Sequence, residues 1–144
     1  MVADPCDGPI QGRSDLQDIL VPVSPGELLD KITILRIKVE RTTDASKRAN
    51  VRHELTALED VWDRVGVAGL DADVEALAAV NARLWDIEDQ IRDKERQQVF
   101  DAEFIALARS VYMENDARAA IKKRINTALG SRIVEEKSYS DYRR

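Results

Sequence analysis

Residues 70–129 read LDADVEALAAVNARLWDIEDQIRDKERQQVFDAEFIALARSVYMENDARAAIKKRINTAL, sixty positions without a glycine or a proline. Sheets need tight turns built from those two residues, so a run of this length excludes a strand-and-turn architecture. Apolar residues recur through it in four-three steps, Val74, Leu77, Leu84 and Ile91, then Phe104, Ala108, Val111, Ile125 and Leu129. That spacing predicts two long helices. The first starts with Asp71 as its cap and runs to about Gln97; the second follows Asp101 and ends at Leu129, with Gly130 beyond it. Phe100, just ahead of the second helix, is placed to staple onto Ile105.

Upstream, Ser24-Pro25-Gly26-Glu27 signals a helix start. Ser is a good N-cap, Pro is preorganised for the first helical position, and Glu at the third can reach back to the cap amide. This helix is expected to reach about Arg41, with Leu28, Leu29, Ile32, Leu35 and Val39 on one stripe and Ile34 and Ile37 on another. Two stripes predict contact from two directions. A further helix is expected after Thr43 or Asp44, with the seam Val51, Leu55, Leu58, Trp62 and Val65 and a left-handed stop at Gly66. His53 falls on its solvated side. Ile19-Leu20-Val21-Pro22-Val23 reads as a short extended stretch lying against the helices. Residues 1–18 read as a loose leader and 131–144 as a short C-terminal arm. No repeat of solenoid length is present.

Composition narrows the function classes. The chain has 144 residues, one domain's worth, and 27 acidic against 22 basic side chains, a net of −5. Binding to duplex DNA is usually driven by a basic excess, so nucleic acid is not an expected partner. No apolar run suits a membrane span, and residues 1–18 hold no apolar signal-like block, which together predict a cytoplasmic protein. Cys6 is the single cysteine and has no internal partner, consistent with a reducing compartment. One histidine and no glycine-rich loop leave neither a His-based metal site nor a phosphate loop to build on.

The informative feature is polar residues where apolar ones belong. The seam of the third helix reads Val74, Leu77, Asn81, Leu84, Glu88, Ile91, Glu95, with Arg92 beside Glu88. That of the fourth reads Phe104, Ala108, Val111, Asn115, Arg118, Lys122, Ile125, Leu129, with Asn126 beside Lys122 and Tyr112 one turn from Ala108. Unpartnered charge in a core is very costly, so these groups must meet something. An antiparallel hairpin turning near residue 99 sets Asn81 near Arg118, and Glu88 near Tyr112. Arg36 on the first helix is a third contributor.

Such a cluster can be a network that fixes helix register, or a ligand site built from inward side chains of facing helices. As a ligand site, Arg92, Arg118 and Lys122 would carry the charge for a small anion. Tyr112, Asn115 and Asn126 would orient it, Asn81 and Arg36 would join the site, and Glu88 and Glu95 would hold the cations or accept ligand hydroxyls. Glu88 or Glu95 could alternatively act as the general base of an all-helical enzyme. Arg92 opposes a cation between these two carboxylates, so no metal and no cofactor are assigned.

Five strings carry a resemblance: VPVSPGELLDKITILRIK at 21–38, KRANVRHEL at 47–55, LWDIEDQIRDKE at 84–95, FIALARSVYMENDARAAIKKRIN at 104–126 and VEEKSY at 134–139. They resemble an uncharacterised bacterial family of small helical proteins, a domain of unknown function associated with surface-polysaccharide gene neighbourhoods. The resemblance covers about residues 19–142 and implies that VEEKSY belongs to the domain; it supplies no activity. ELLDKITILRIKVER is faintly similar to the first helix of all-helical chorismate mutases, but their ordered set of cations is not recognisable. Helical nucleotide pyrophosphohydrolases are similar in class, but their paired Glu-x-x-Glu metal motifs are absent.

The expected fold is therefore all-α: an antiparallel bundle of four helices, two of them long, over residues 19–142, with an extended leader before it and a short arm after it. The doubly apolar first helix predicts a homodimer that buries the surplus apolar surface. The expected function is binding of a small anionic metabolite, of the sugar-phosphate or nucleotide-sugar class, or else a non-catalytic interaction role.

Overall fold

The structure, a computed structural model, describes residues 16–144; Cys6 and the leader up to residue 15 lie outside the described residues. Four helices and no strands make up the described chain: α1 (Pro25–Arg41), α2 (Ala45–Val65), α3 (Asp71–Gln97) and α4 (Ala102–Ala128). Ser24 caps α1 by accepting from the Glu27 amide at 3.2 Å, with Pro25 at the first helical position. Asp44 and Asp101 cap α2 and α4 in the same way, and Gly66 ends α2 with φ 67°. At α3 the cap differs from expectation: Leu70 holds the position without a side-chain hydrogen bond, and Asp71 is the first helical residue. Leu70 is itself buried in the core, so the position serves packing rather than capping.

Helix α1 is the hub. It packs against each of the other three helices, α3 packs on α4, and α2 lies on α1 alone. Both predicted stripes of α1 are used, and Leu28, Leu29, Ile32, Leu35 and Ile37 are all buried. No residue of α2 is buried, since one of its sides faces α1 and the rest faces water. The main core joins Leu29 to Leu70, Leu77, Val80 and Leu84 of the α3 segment and to Ile121 and Ile125 of α4, with Trp62 packed against it. It occupies one end of the α3–α4 pair. Contacts Asp73–Arg124, Arg83–Glu114 and Lys94–Asp101 run in opposite order along the two helices.

A length mismatch decides what can be buried. Helix α1 has 17 residues and α3 and α4 have 27 each. At 1.5 Å per residue, α1 spans about 25 Å beside partners of about 40 Å. Its last residue, Arg41, pairs with Asp86 and lies over the Trp85 ring, halfway along α3. Beyond that point no third helix covers α3 and α4, and no residue between Leu84 and Ile121 is buried.

Two local expectations are corrected. Phe100 does not staple onto Ile105, which is largely exposed; it meets Phe104 edge-on, with ring centres 5.1 Å apart. Ile19–Val23 does not lie against the helices: Ile19 is 78% and Leu20 91% exposed, because α2 on one side of α1 and α3 and α4 on the other already cover its apolar stripes. The C-terminal arm does pack. It returns along α4, with Glu135 at Lys122, Lys137 at Asp116 and Tyr142 at Tyr112.

At Gly26, α1 and α4 approach closely. A Cβ there would stand 2.7 Å from the Lys122 carbonyl oxygen and 2.9 Å from Asn126 Oδ1. The gain in helix propensity of an alanine is smaller than the cost of pushing two backbones apart. Gly26→Ala is expected to lower unfolding stability by ~1–3 kcal/mol, measured by urea denaturation.

Candidate functional site

Beneath the hub helix, α1, α3 and α4 enclose a polar layer. Asp30 and Thr33 face α3 from the same side of α1 as Gly26 and Ile37, and both are buried. Asn81, 4% exposed, donates through Nδ2 to Asp30 Oδ1 at 2.8 Å and to Thr33 Oγ1 at 3.0 Å. Its Oδ1 accepts from Arg118 Nη1 at 3.2 Å, so the amide presents its donor end to the acid and its acceptor end to the cation. Arg118 Nη2 donates to Asn115 Oδ1 at 2.6 Å, and Asn115 is anchored in turn to the Val111 carbonyl at 2.9 Å. Among the described residues, no carboxylate lies within 4.0 Å of Arg118.

One turn further along α4, Lys122 turns inward while Lys123 and Arg124 point out to Glu136 and Asp73. Its ammonium donates to Glu27 and to Glu135, the latter at 3.3 Å, and lies 3.9 Å from Asp30. Ser24 links the same group to the arm, donating to Glu135 Oε1 at 3.1 Å. Asn126 accepts from the Gly26 amide at 2.7 Å, replacing the water that an amide in the first helical turn would otherwise need. Every buried side-chain polar atom of the described residues has a partner.

On the outer side of this layer lies a cleft of about 880 Å³ between α4 and the returning arm. Its walls are Tyr112, Asn115, Arg118 and Lys122 from α4, with the apolar Val111, Ala119 and Ala120 among them, and Lys137 and residues 139–143 from the arm. Asp116 and Asp141 face it too. The Lys137 ammonium holds the Asp116 carboxyl below the usual carboxylate range, and Arg143 does the same for Asp141, so both stay ionised. Tyr112 and Tyr142 meet edge-on with ring centres 4.7 Å apart.

Of the residues singled out from the sequence, Tyr112, Asn115, Arg118 and Lys122 line one cleft, and Asn81 and Asn126 support it from the buried layer. The other four are elsewhere. Arg36 pairs with Glu59 of α2 at 2.9 Å, since its place on α1 faces α2 rather than α3. Arg92 is bound to Glu88, one turn away on the same helix, with 79% of its side chain exposed. Glu95 is exposed as well. All three lie beyond the reach of α1, where the seam is wet and a charge needs no buried partner. The structure adds Glu27, Asp30, Thr33 and Glu135. The first three lie on or beside the stripe Gly26, Asp30, Thr33, Ile37, whose four-three spacing was present in the sequence. Glu135 sits in an irregular arm and has no periodic signature.

The chain belongs to a family described as a family of unknown function (DUF6165), whose model matches residues 19–142. No curated protein and no solved structure matches it. No helix among the described residues is long and apolar enough to cross a membrane. No group of three or more His, Cys, Asp or Glu side chains among them is placed to hold a metal ion.

The Glu27–Lys122 pair makes stability depend on pH. Burial pushes the Glu27 carboxyl up, but the hydrogen bond and charge of Lys122, with Lys31 and Arg118 behind it, outweigh that and leave it below its ordinary value. Burial likewise opposes the Lys122 ammonium, and Glu27, Asp30 and Glu135 outweigh it, leaving the pKa raised. The Glu27 contribution is thus full above the unfolded value of 4.5 and is lost as pH falls through the lower folded value. That of Lys122 is full below 10.5 and is lost as pH rises through the higher folded value. Glu27→Gln is expected to cost ~1–2 kcal/mol at pH 7 and to make the loss of stability below about pH 4.5 shallower than in wild type, as read by urea titrations at both ends of that range.

Proposed function

We propose that this chain is a helical binding module for a small anionic metabolite, with sugar phosphates and nucleotide sugars as the first class to screen. The supporting observation is Arg118. A part-buried guanidinium is held by the oxygens of two neutral amides, faces a cleft of small-molecule size, and uses two of its five N–H groups there. Asn81 stands between Arg118 and Asp30, so the guanidinium is not closed onto a carboxylate. The general-base reading loses support, because neither Glu88 nor Glu95 lines the cleft.

Glucose 1-phosphate or UDP-glucose is expected to raise the melting temperature of the wild type in a dose-dependent way. Arg118→Gln is expected to weaken that binding about 10- to 100-fold, the worth of a charge-assisted hydrogen bond of about 1.5–3 kcal/mol. Titration calorimetry on both proteins measures it. Equal binding by the two proteins would remove Arg118 as the anchor.

The far half of the α3–α4 pair favours the homodimer that goes with this reading. Phe100, Ile105 and Met113 are all about half exposed on a stretch that no third helix covers. Light scattering at micromolar concentration is expected to give about twice the 16.2 kDa chain mass; a monomeric mass counts against the dimer.

A further inference from the structure

Acids outnumber cations around the cleft, which places a condition on anion binding. Lys137 is paired with Asp116, and Arg143 with Asp141 at 2.9 Å, so these four charges cancel. Lys122 faces three carboxylates, those of Glu27, Asp30 and Glu135. Arg118 has no acid within 4.0 Å among the described residues. Arg118 and Lys122 together thus meet three acids. An anion added to this set would enlarge the excess of negative charge. An anion that takes the place of one acid leaves the balance as it was.

One of the three acids is placed to leave. Asp30 has only 8% of its side chain exposed, and it accepts from Asn81. Glu27 lies in the first turn of α1, 29% exposed, and is the acid nearest to the Lys122 ammonium. Both are carried by a helix packed in the bundle. Glu135 is 46% exposed, and its contact with the ammonium, at 3.3 Å, is the longer of the two hydrogen bonds that Lys122 donates. It stands in the arm, where among the described residues no backbone–backbone hydrogen bond is made beyond Ser131. A half-exposed ion pair in so loosely held a segment opens readily. The placement of the two cavities agrees. Glu135 borders a second one, of about 150 Å³, which shares Ala119, Lys122 and Lys137 with the cleft. Arg118 and Lys122 are one turn apart on α4 and line the cleft together. An anion on Arg118 therefore reaches Lys122 from the cleft, while Glu135 holds the same ammonium from the neighbouring cavity.

We propose that, within the anion-binding reading on which it rests, Glu135 is a built-in competitor: its carboxylate holds Lys122 until an anion seated on Arg118 displaces it to solvent, so that the arm sets the affinity of the site. Titration calorimetry of the full chain with glucose 1-phosphate, UDP-glucose and inorganic phosphate compares wild type with Glu135→Gln, Glu136→Gln and Arg118→Gln. Glu135→Gln removes the competing charge but keeps the length of the side chain and an oxygen for the Ser24 hydroxyl. Glu136→Gln removes an equal charge from the next residue, which pairs outward with Lys123 at 3.8 Å. Glu135→Gln is expected to bind the tightest of these anions about 3- to 10-fold more tightly than wild type, with Glu136→Gln within about 2-fold of wild type. A Glu135 that only ties the arm down predicts the opposite sign, since its loss would loosen a wall of the cleft. Binding by Glu135→Gln where wild type shows none also supports the competition. Unchanged or weaker binding by Glu135→Gln overturns it, as does equal tightening by Glu136→Gln, which would mark a diffuse effect of net charge. In either case, wild-type binding that is lost in Arg118→Gln leaves the anion-binding reading standing. No binding of any of the three anions by wild type or by Glu135→Gln overturns both.

Discussion

The rest of the structure depends on how far α1 reaches along the α3–α4 pair. Two helices packed on each other cannot close off their seam from water; a third must lie over it. Helix α1 does so for its 17 residues and stops at Arg41, beside Asp86. Under α1, apolar residues gather into the core, and any polar group must be matched. Past it, the same heptad-like positions are wet and tolerate any charge at little cost. One sequence pattern therefore has two physical meanings along a single pair of helices.

Within the covered stretch, matching is done by amides rather than by direct ion pairing. Asn81 takes Asp30 and Thr33 with one end of its side chain and Arg118 with the other. The acid and the guanidinium are thus both satisfied without touching. Had Arg118 closed directly onto Asp30, its charge would have been spent inside the protein. With an amide between them, the guanidinium is oriented by neutral oxygens and keeps its field directed at the cleft. Lys122 shows the opposite arrangement, with three acids around one ammonium, and acts as a clasp joining α1, α4 and the arm.

Much of this was readable in the residues. Ser24-Pro25, Asp44, Gly66 and Asp101 mark helix ends by local chemistry alone, and the helices begin and end there. The proximity of Asn81 and Arg118 follows from equal rise per residue in a hairpin, and the two are hydrogen-bonded. What periodicity cannot report is whether a third helix covers a given seam position, so Glu88, Arg92 and Glu95 looked the same as Asn81 and Arg118. Arg36 faces α2 rather than α3; an α1 with two apolar stripes leaves open, from periodicity alone, which stripe meets which partner. Leu70 took the cap position of α3 because burying a leucine outweighs a capping hydrogen bond there. Glu135 acts through tertiary contact from an irregular segment, where no pattern exists to read.

The close fit of Gly26 against Asn126 joins positions 100 residues apart, and the hydroxyl of Ser24 meets Glu135 across 111. During synthesis, α1 leaves the ribosome ahead of the others with only α2 to cover it at first, and its other face is not fully covered until α3 and then α4 have emerged. Every chain on the ribosome passes through an interval in which the helix with the most buried residues is half dressed. The rate of elongation through α3 and α4 sets how long that interval lasts, and with it the demand this small protein places on chaperones.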